Sequence, residues 1–189
     1  LFIKSLYIMV KRIYLLLVII LFVGCSKKLF DLTLSKTPYS GVELRIDGYY
    51  YSDEYSIYAA ASDDYDSYVD IAVFYRDGFC IHTGTHLNSQ EDTLIYIENE
   101  ILLNEEYISD LKSTPQHIGV FQIRYPDIEF EIWEARTTTF SNYGEILNDS
   151  TFIINKKMNN GTGNTYSVNL TYRFKQFSPK PDSTNNFVK

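Results

Sequence analysis

The sequence predicts a mainly β protein, an antiparallel up-and-down barrel or sandwich with one helical insertion, and three observations carry this. Runs of alternating apolar and polar residues recur along the chain, as half-buried strands require. Several runs are joined in pairs by two-residue turn signals. One stretch, "SQEDTLIYIENEILLNEEYISDLKS", abandons the two-residue period. Serial hairpins leave edges unless the sheet closes or doubles, hence barrel or sandwich.

The elements follow in order. "VELRID" places Val42, Leu44 and Ile46 on one face and Glu43, Arg45 and Asp47 on the other, the pattern of a half-buried strand. "YSIYAAA" follows a Ser-Asp-Glu turn. "YVDIAVFYR" and "FCIHTG" flank Asp77-Gly78 and form a hairpin. "GVFQIRY" and "IEFEIWE" repeat the arrangement around Pro126-Asp127, with Ile128, Phe130 and Ile132 alternating against Glu129, Glu131 and Trp133. "YGEIL" and "STFIINKK" make a third hairpin around Asn148-Asp149. The clearest alternation comes last, where Tyr166, Val168, Leu170, Tyr172 and Phe174 interleave with polar residues. In the insertion, about residues 90–112, Leu94, Ile97, Ile101, Ile108 and Leu111 suit one side of a helix or helical pair, and Ser89 to Asp92 resembles a capping box.

Before the strands lies "LLLVIILFVGCSKK". A bilayer-spanning helix needs about 20 apolar residues, whereas the run Ile13 to Val23 has the length of a signal-peptide core, flanked by Lys11 and Arg12 and ending in small residues. The run predicts a signal peptide over 1–24, a tether over 25–40, a barrel domain over 41–178 and a C-terminal tail over 179–189. Met9 is an alternative start to Leu1.

Charge and cysteine content narrow the function. The net charge is -7, with no basic cluster beyond the signal, which argues against a nucleic-acid partner. Of the two cysteines, Cys25 directly follows the signal and is reserved for the anchor, leaving Cys80 without an intrachain disulfide partner. Cys80, His82 and His86 have a spacing that could serve a metal, but no carboxylate or second ligand pair completes it, and no metal or cofactor is expected. Asp63, Asp64, Asp66 and Asp70 lack the Gly and Glu that shape a calcium loop, so a solvated acidic loop is expected. Glu105-Glu106 and Glu129-Glu131 suit exposed faces. Tyr49 to Tyr51 could offer stacking platforms, though alternation sends Tyr50 to the other face and favours sheet packing. With no nucleophile elbow, zinc-protease helix or phosphate loop, no catalytic residue is assigned and enzyme activity is not expected.

Leu21-Phe22-Val23-Gly24-Cys25 resembles the lipobox of bacterial lipoproteins, with Phe22 where Leu is usual. "LRIDGYYY", "VFYRDG", "GVFQI", "GEILNDSTFII" and "FKQFSPKPDSTNNF" resemble small uncharacterised lipoproteins of Bacteroides and relatives. The resemblance implies acylation of Cys25, an outer-membrane address facing the periplasm given Ser26, and a lipocalin-like or calycin-type barrel. The Gly-x-Trp signature of lipocalins is absent, with Gly48-Tyr49-Tyr50 its nearest counterpart. The expected function is a membrane-anchored, non-enzymatic lipoprotein holding an apolar or amphipathic small molecule among inward residues such as Ile128, Phe130 and Tyr172. The alternative is a structural or adaptor lipoprotein that binds another envelope protein.

Overall fold

The computed structural model describes residues 31–59, 64–87, 92–135 and 138–188. The signal segment, Cys25 and Ser89 lie outside the described residues. Among the described residues nine strands run in order: β1 (Gly48–Ser52), β2 (Tyr55–Ala59), β3 (Asp64–Phe74), β4 (Phe79–His86), β5 (Ile118–Arg124), β6 (Asp127–Ala135), β7 (Thr138–Asn148), β8 (Thr151–Asn159) and β9 (Thr165–Gln176). From β3 to β9 each pairs antiparallel with the next. β9 then pairs with β1, from Gly48↔Gln176 to Ser52↔Tyr172, and β1 pairs with β3 at Tyr50↔Ala72 and Tyr51↔Ile71. That last pairing closes the sheet. β2 lies along the same edge of β3 nearer its start, at Tyr55↔Tyr68, so β1 and β2 share one wall position and the barrel is eight-stranded.

Alternation along these strands builds two cores. Inside the barrel, Tyr50, Phe74, Phe121, Phe130, Phe152 and Tyr172 are at most 1% exposed. Neighbouring rings in this group lie 4.7 to 5.9 Å apart, the range of favourable edge and offset contacts. Outside, Ile71 and Val73 of β3, Ile81 of β4 and Val120 of β5 meet the helical insertion. That explains why "VDIAVFY" is apolar with scarcely a break: both faces of β3 are covered.

The insertion begins with α1 (Thr93–Tyr96), runs through a π-helical turn (Ile97–Leu102), and ends with α2 (Glu105–Ser113). Asp92 caps α1 by accepting from the Leu94 and Ile95 amides, and Asn104 caps α2 by accepting from Tyr107. Ile97, Ile101, Ile108 and Leu111 are buried against the barrel wall, the stripe their spacing predicts.

The first expected strand, "VELRID", is a correction. Residues 42–47 form bends and irregular backbone: the Leu44 amide donates to the Tyr39 hydroxyl (2.8 Å) and the Arg45 amide to the Asp149 carbonyl (2.8 Å), partners outside any ladder. The alternation has a different cause. Leu44 and Ile46 join the barrel-interior core beside Tyr39, while Val42 is 85% exposed. The strand entering the sheet is "GYYYS" instead.

Residues 31–40, assigned to a tether from sequence, are held against the barrel. Leu32 and Leu34 pack against the outer core, and the Tyr39 amide donates to the Arg76 carbonyl. The C-terminal tail is also held down. The Lys180 ammonium donates to the Ile46 (2.7 Å) and Phe74 (2.8 Å) carbonyls, and Val188 is buried in the outer core.

Candidate functional site

Ile128, Phe130 and Tyr172, expected to line a ligand cavity, face the barrel interior at 1%, 0% and 0% exposure. The structure brings them into one cluster with Phe74 and Phe152. Tyr172 stacks on Phe152 with ring centroids 4.7 Å apart and planes 8° from parallel, and Phe130 lies 5.8 Å from Phe74. Their neighbours are the chain's own side chains.

Above these rings sits a polar layer. Asp70 on β3 and His82 on β4 point inward on the same parity as Ala72 and Cys80. The Tyr172 hydroxyl donates to Asp70 Oδ2 (2.9 Å), Tyr55 donates to Asp70 Oδ1 (2.9 Å), and Lys157 Nζ lies 3.5 Å from Oδ2. The Asp70 amide donates to the Ser52 hydroxyl. Burial pushes the Asp70 carboxyl up, but His82 and Lys157, followed by the Tyr172 and Tyr55 hydroxyls, bring it below its ordinary value. Burial lowers His82 to about 4, against the opposing pull of Asp70. At neutral pH the layer therefore holds an Asp70 carboxylate beside a neutral His82.

The proton positions follow. Tyr172 has a single hydroxyl proton and gives it to Asp70, so His82 Nε2, 3.2 Å from the same oxygen, must be the donor there. His82 thus carries its proton on Nε2. With Asp70 4% and His82 7% exposed, the layer offers no accessible nucleophile or base. It acts as a satisfied polar network that fixes β3, β4, β8 and β9 against one another.

The other sequence candidates separate. Cys80 is buried in the barrel interior, where burial raises its thiol, whereas His86 is exposed and lies 3.2 Å from Asp66. Among the described residues no three His, Cys, Asp or Glu side chains converge as metal ligands would. Asp70 was expected in a solvated acidic loop; its inward parity beside Ala72 and Phe74 was the signal that placed it otherwise. Tyr50 points inward and Tyr49 outward beneath the insertion, each 1% exposed, so neither offers a stacking face.

Glu131 is the residue that sequence reasoning missed. Its outward parity suggested exposure, yet it is 0% exposed because residues 33–34 and Asn160 cover it. One carboxylate oxygen accepts from the Thr33 amide (2.8 Å), the Thr33 hydroxyl (2.9 Å) and the Leu34 amide (2.6 Å). The other accepts from the Thr139 hydroxyl and Asn160 Nδ2. No local pattern in "IEFEIWE" distinguishes Glu131 from Glu129. The Thr33 and Leu34 part of the cover comes from nearly a hundred residues away in sequence.

The outer surface carries two further features. A groove of about 770 Å3 runs between α2 and the tail, lined by Leu102, Leu103, Ile108, Lys112, Pro179 and Asp182, with the Lys112–Asp182 ion pair (2.7 Å) at its side. The second is the start of β9. Burial there decays along the strand, from Tyr172 at 0% to half-buried Leu170 and Val168 and then Tyr166 at 48%.

No family model, curated protein or solved structure matches this chain. The barrel is compatible with a lipocalin-like fold by its closed antiparallel eight-strand wall. Among the described residues no helix is long and apolar enough to cross a membrane.

Proposed function

We propose that this chain is a bacterial envelope lipoprotein anchored through Cys25, of the Bacteroides kind its motifs resemble, and that it acts as an adaptor holding another envelope protein on its outer surface. The observation that carries the adaptor reading is the filled interior. Barrels of about eight strands can be just filled by their own side chains, and here six aromatic rings and the Asp70 network occupy the positions a carried ligand would need. The anchor reading rests on the short apolar core ending at Gly24-Cys25. Each buried acyl methylene contributes roughly 0.8 kcal/mol, so a multiply acylated Cys25 would hold the barrel at a membrane durably.

Native mass spectrometry of the full chain, purified in detergent, tests both parts. The expected mass begins at an acylated Cys25 and includes no stoichiometric small molecule, and Cys25→Ala leaves an unprocessed precursor. A mature terminus elsewhere removes the anchor. A co-purified amphiphile that is lost in Phe130→Asp would replace the adaptor with the carrier reading.

A further inference from the structure

We infer that the first half of β9 is a strand-addition site for one extended, uncharged peptide segment of the partner, with apolar residues at alternate positions; this rests on the adaptor reading above. The opening comes from the topology. β1 accompanies β9 only as far as Ser52↔Tyr172, with one further bond from the Asp53 amide to the Thr171 carbonyl (2.8 Å). Beyond that point, among the described residues, β2 pairs with β3 and β9 pairs with β8 alone. A strand paired on one side leaves about half of its backbone N–H and C=O groups facing an empty position, the arrangement that strand addition completes.

The residues at this edge specify the guest. Proteins blunt free edges with lysine, proline or charge. Thr165-Tyr166-Ser167-Val168-Asn169-Leu170 contains none of these, and the first charged residues of β9, Arg173 and Lys175, fall where β1 already covers the edge. Val168 and Leu170 are half-buried against the barrel core, and Tyr166 stacks on Phe140 (6.4 Å, 24°), so alternate guest side chains would meet an apolar surface. Ser167 and Asn169 are exposed and uncharged. β2 lies on the β1 side of β3 and so bounds the opening opposite β9, which suits a single strand and not the wall of a second barrel.

The test is amide hydrogen exchange of the full chain in detergent, with and without an acetylated, amidated Thr-Val-Thr-Val-Thr-Val peptide. The amides of 165, 167 and 169, which face the open side by the parity of Thr171, should exchange at least tenfold faster than those of 173 and 175, which face β1, without peptide, and slow at least tenfold with it. Val168→Lys, an inward charge at the edge, should abolish the slowing, while Val168→Thr keeps it. The inference is overturned if the amides of 165, 167 and 169 are already as slow as those of 173 and 175, if the peptide changes nothing, or if Val168→Lys retains the effect. Protection without peptide that disappears on dilution would assign the edge to a second copy instead. A partner that still cross-links to other faces when the peptide fails would leave the adaptor reading standing and remove this site alone.

Discussion

Removing the Glu131 carboxylate should detach the N-terminal segment from the barrel, and its cost can be worked from the bonds it accepts. Five donors meet this side chain, and two of them, the Thr33 and Leu34 amides, have no freedom to reorient. Leaving a buried donor without an acceptor costs about 1 to 3 kcal/mol, and more where the lost partner is charged. In Glu131→Ala those two amides alone would cost about 2 to 6 kcal/mol. The upper end is capped, because residues 31–36 can lift away to water at the loss of the Leu32 and Leu34 packing. A destabilisation of about 3 to 5 kcal/mol is expected, a large share of the roughly 5 to 15 kcal/mol typical of a domain. Glu131→Gln should cost less. Its amide can turn its oxygen to Thr33 and Leu34 while Thr139 becomes an acceptor, and Asn160 keeps Thr139 and Ser141 as partners. Urea melts of the three proteins give the order, and limited proteolysis within 31–36 reports detachment. A loss below about 1 kcal/mol for Glu131→Ala, or equal losses for Ala and Gln, would refute the reasoning.

Further outcomes can be measured on the same protein. Phe130→Ala, at a fully buried ring, should cost about 3 to 5 kcal/mol in denaturant melts, and a loss under about 1 would mean that the interior is looser than its ring contacts imply. Stability should also fall with acid. His82 is lowered to about 4 in the folded barrel against about 6.5 unfolded, so the unfolded chain binds the extra proton between those values. The contribution is fully present above about pH 6.5 and is lost as pH falls towards 4, by roughly 3 kcal/mol. His82→Gln should flatten that slope in urea melts at pH 7 and pH 4.5; an unchanged slope would place the titration elsewhere.

The sequence by itself determined the class of fold and most of its wall. Period-two alternation is a property of each strand alone, and Asp77-Gly78 and Pro126 mark turns by their own backbone preferences, although the second turn is Tyr125-Pro126 and Asp127 already opens β6, so eight of the nine strands among the described residues were legible. The helical stripe from Ile97 to Leu111 was legible for the same reason. Tertiary structure decided what a period cannot encode, namely which other segment covers a given face. Val42, Leu44 and Ile46 alternate as a strand would, yet the Tyr39 hydroxyl and Asp149 carbonyl take the donors that a ladder would need. Glu131 and Glu129 share one outward parity; distant residues 33–34 bury the first and leave the second half-exposed. Asp70 sits in an acidic run but faces inward, where Tyr55, Lys157 and Tyr172, supplied by three other strands, make its charge tolerable. Nor could alternation in β9 show that β1 stops short at Ser52. An edge is defined by the neighbour that is missing, and that neighbour belongs to the assembled sheet.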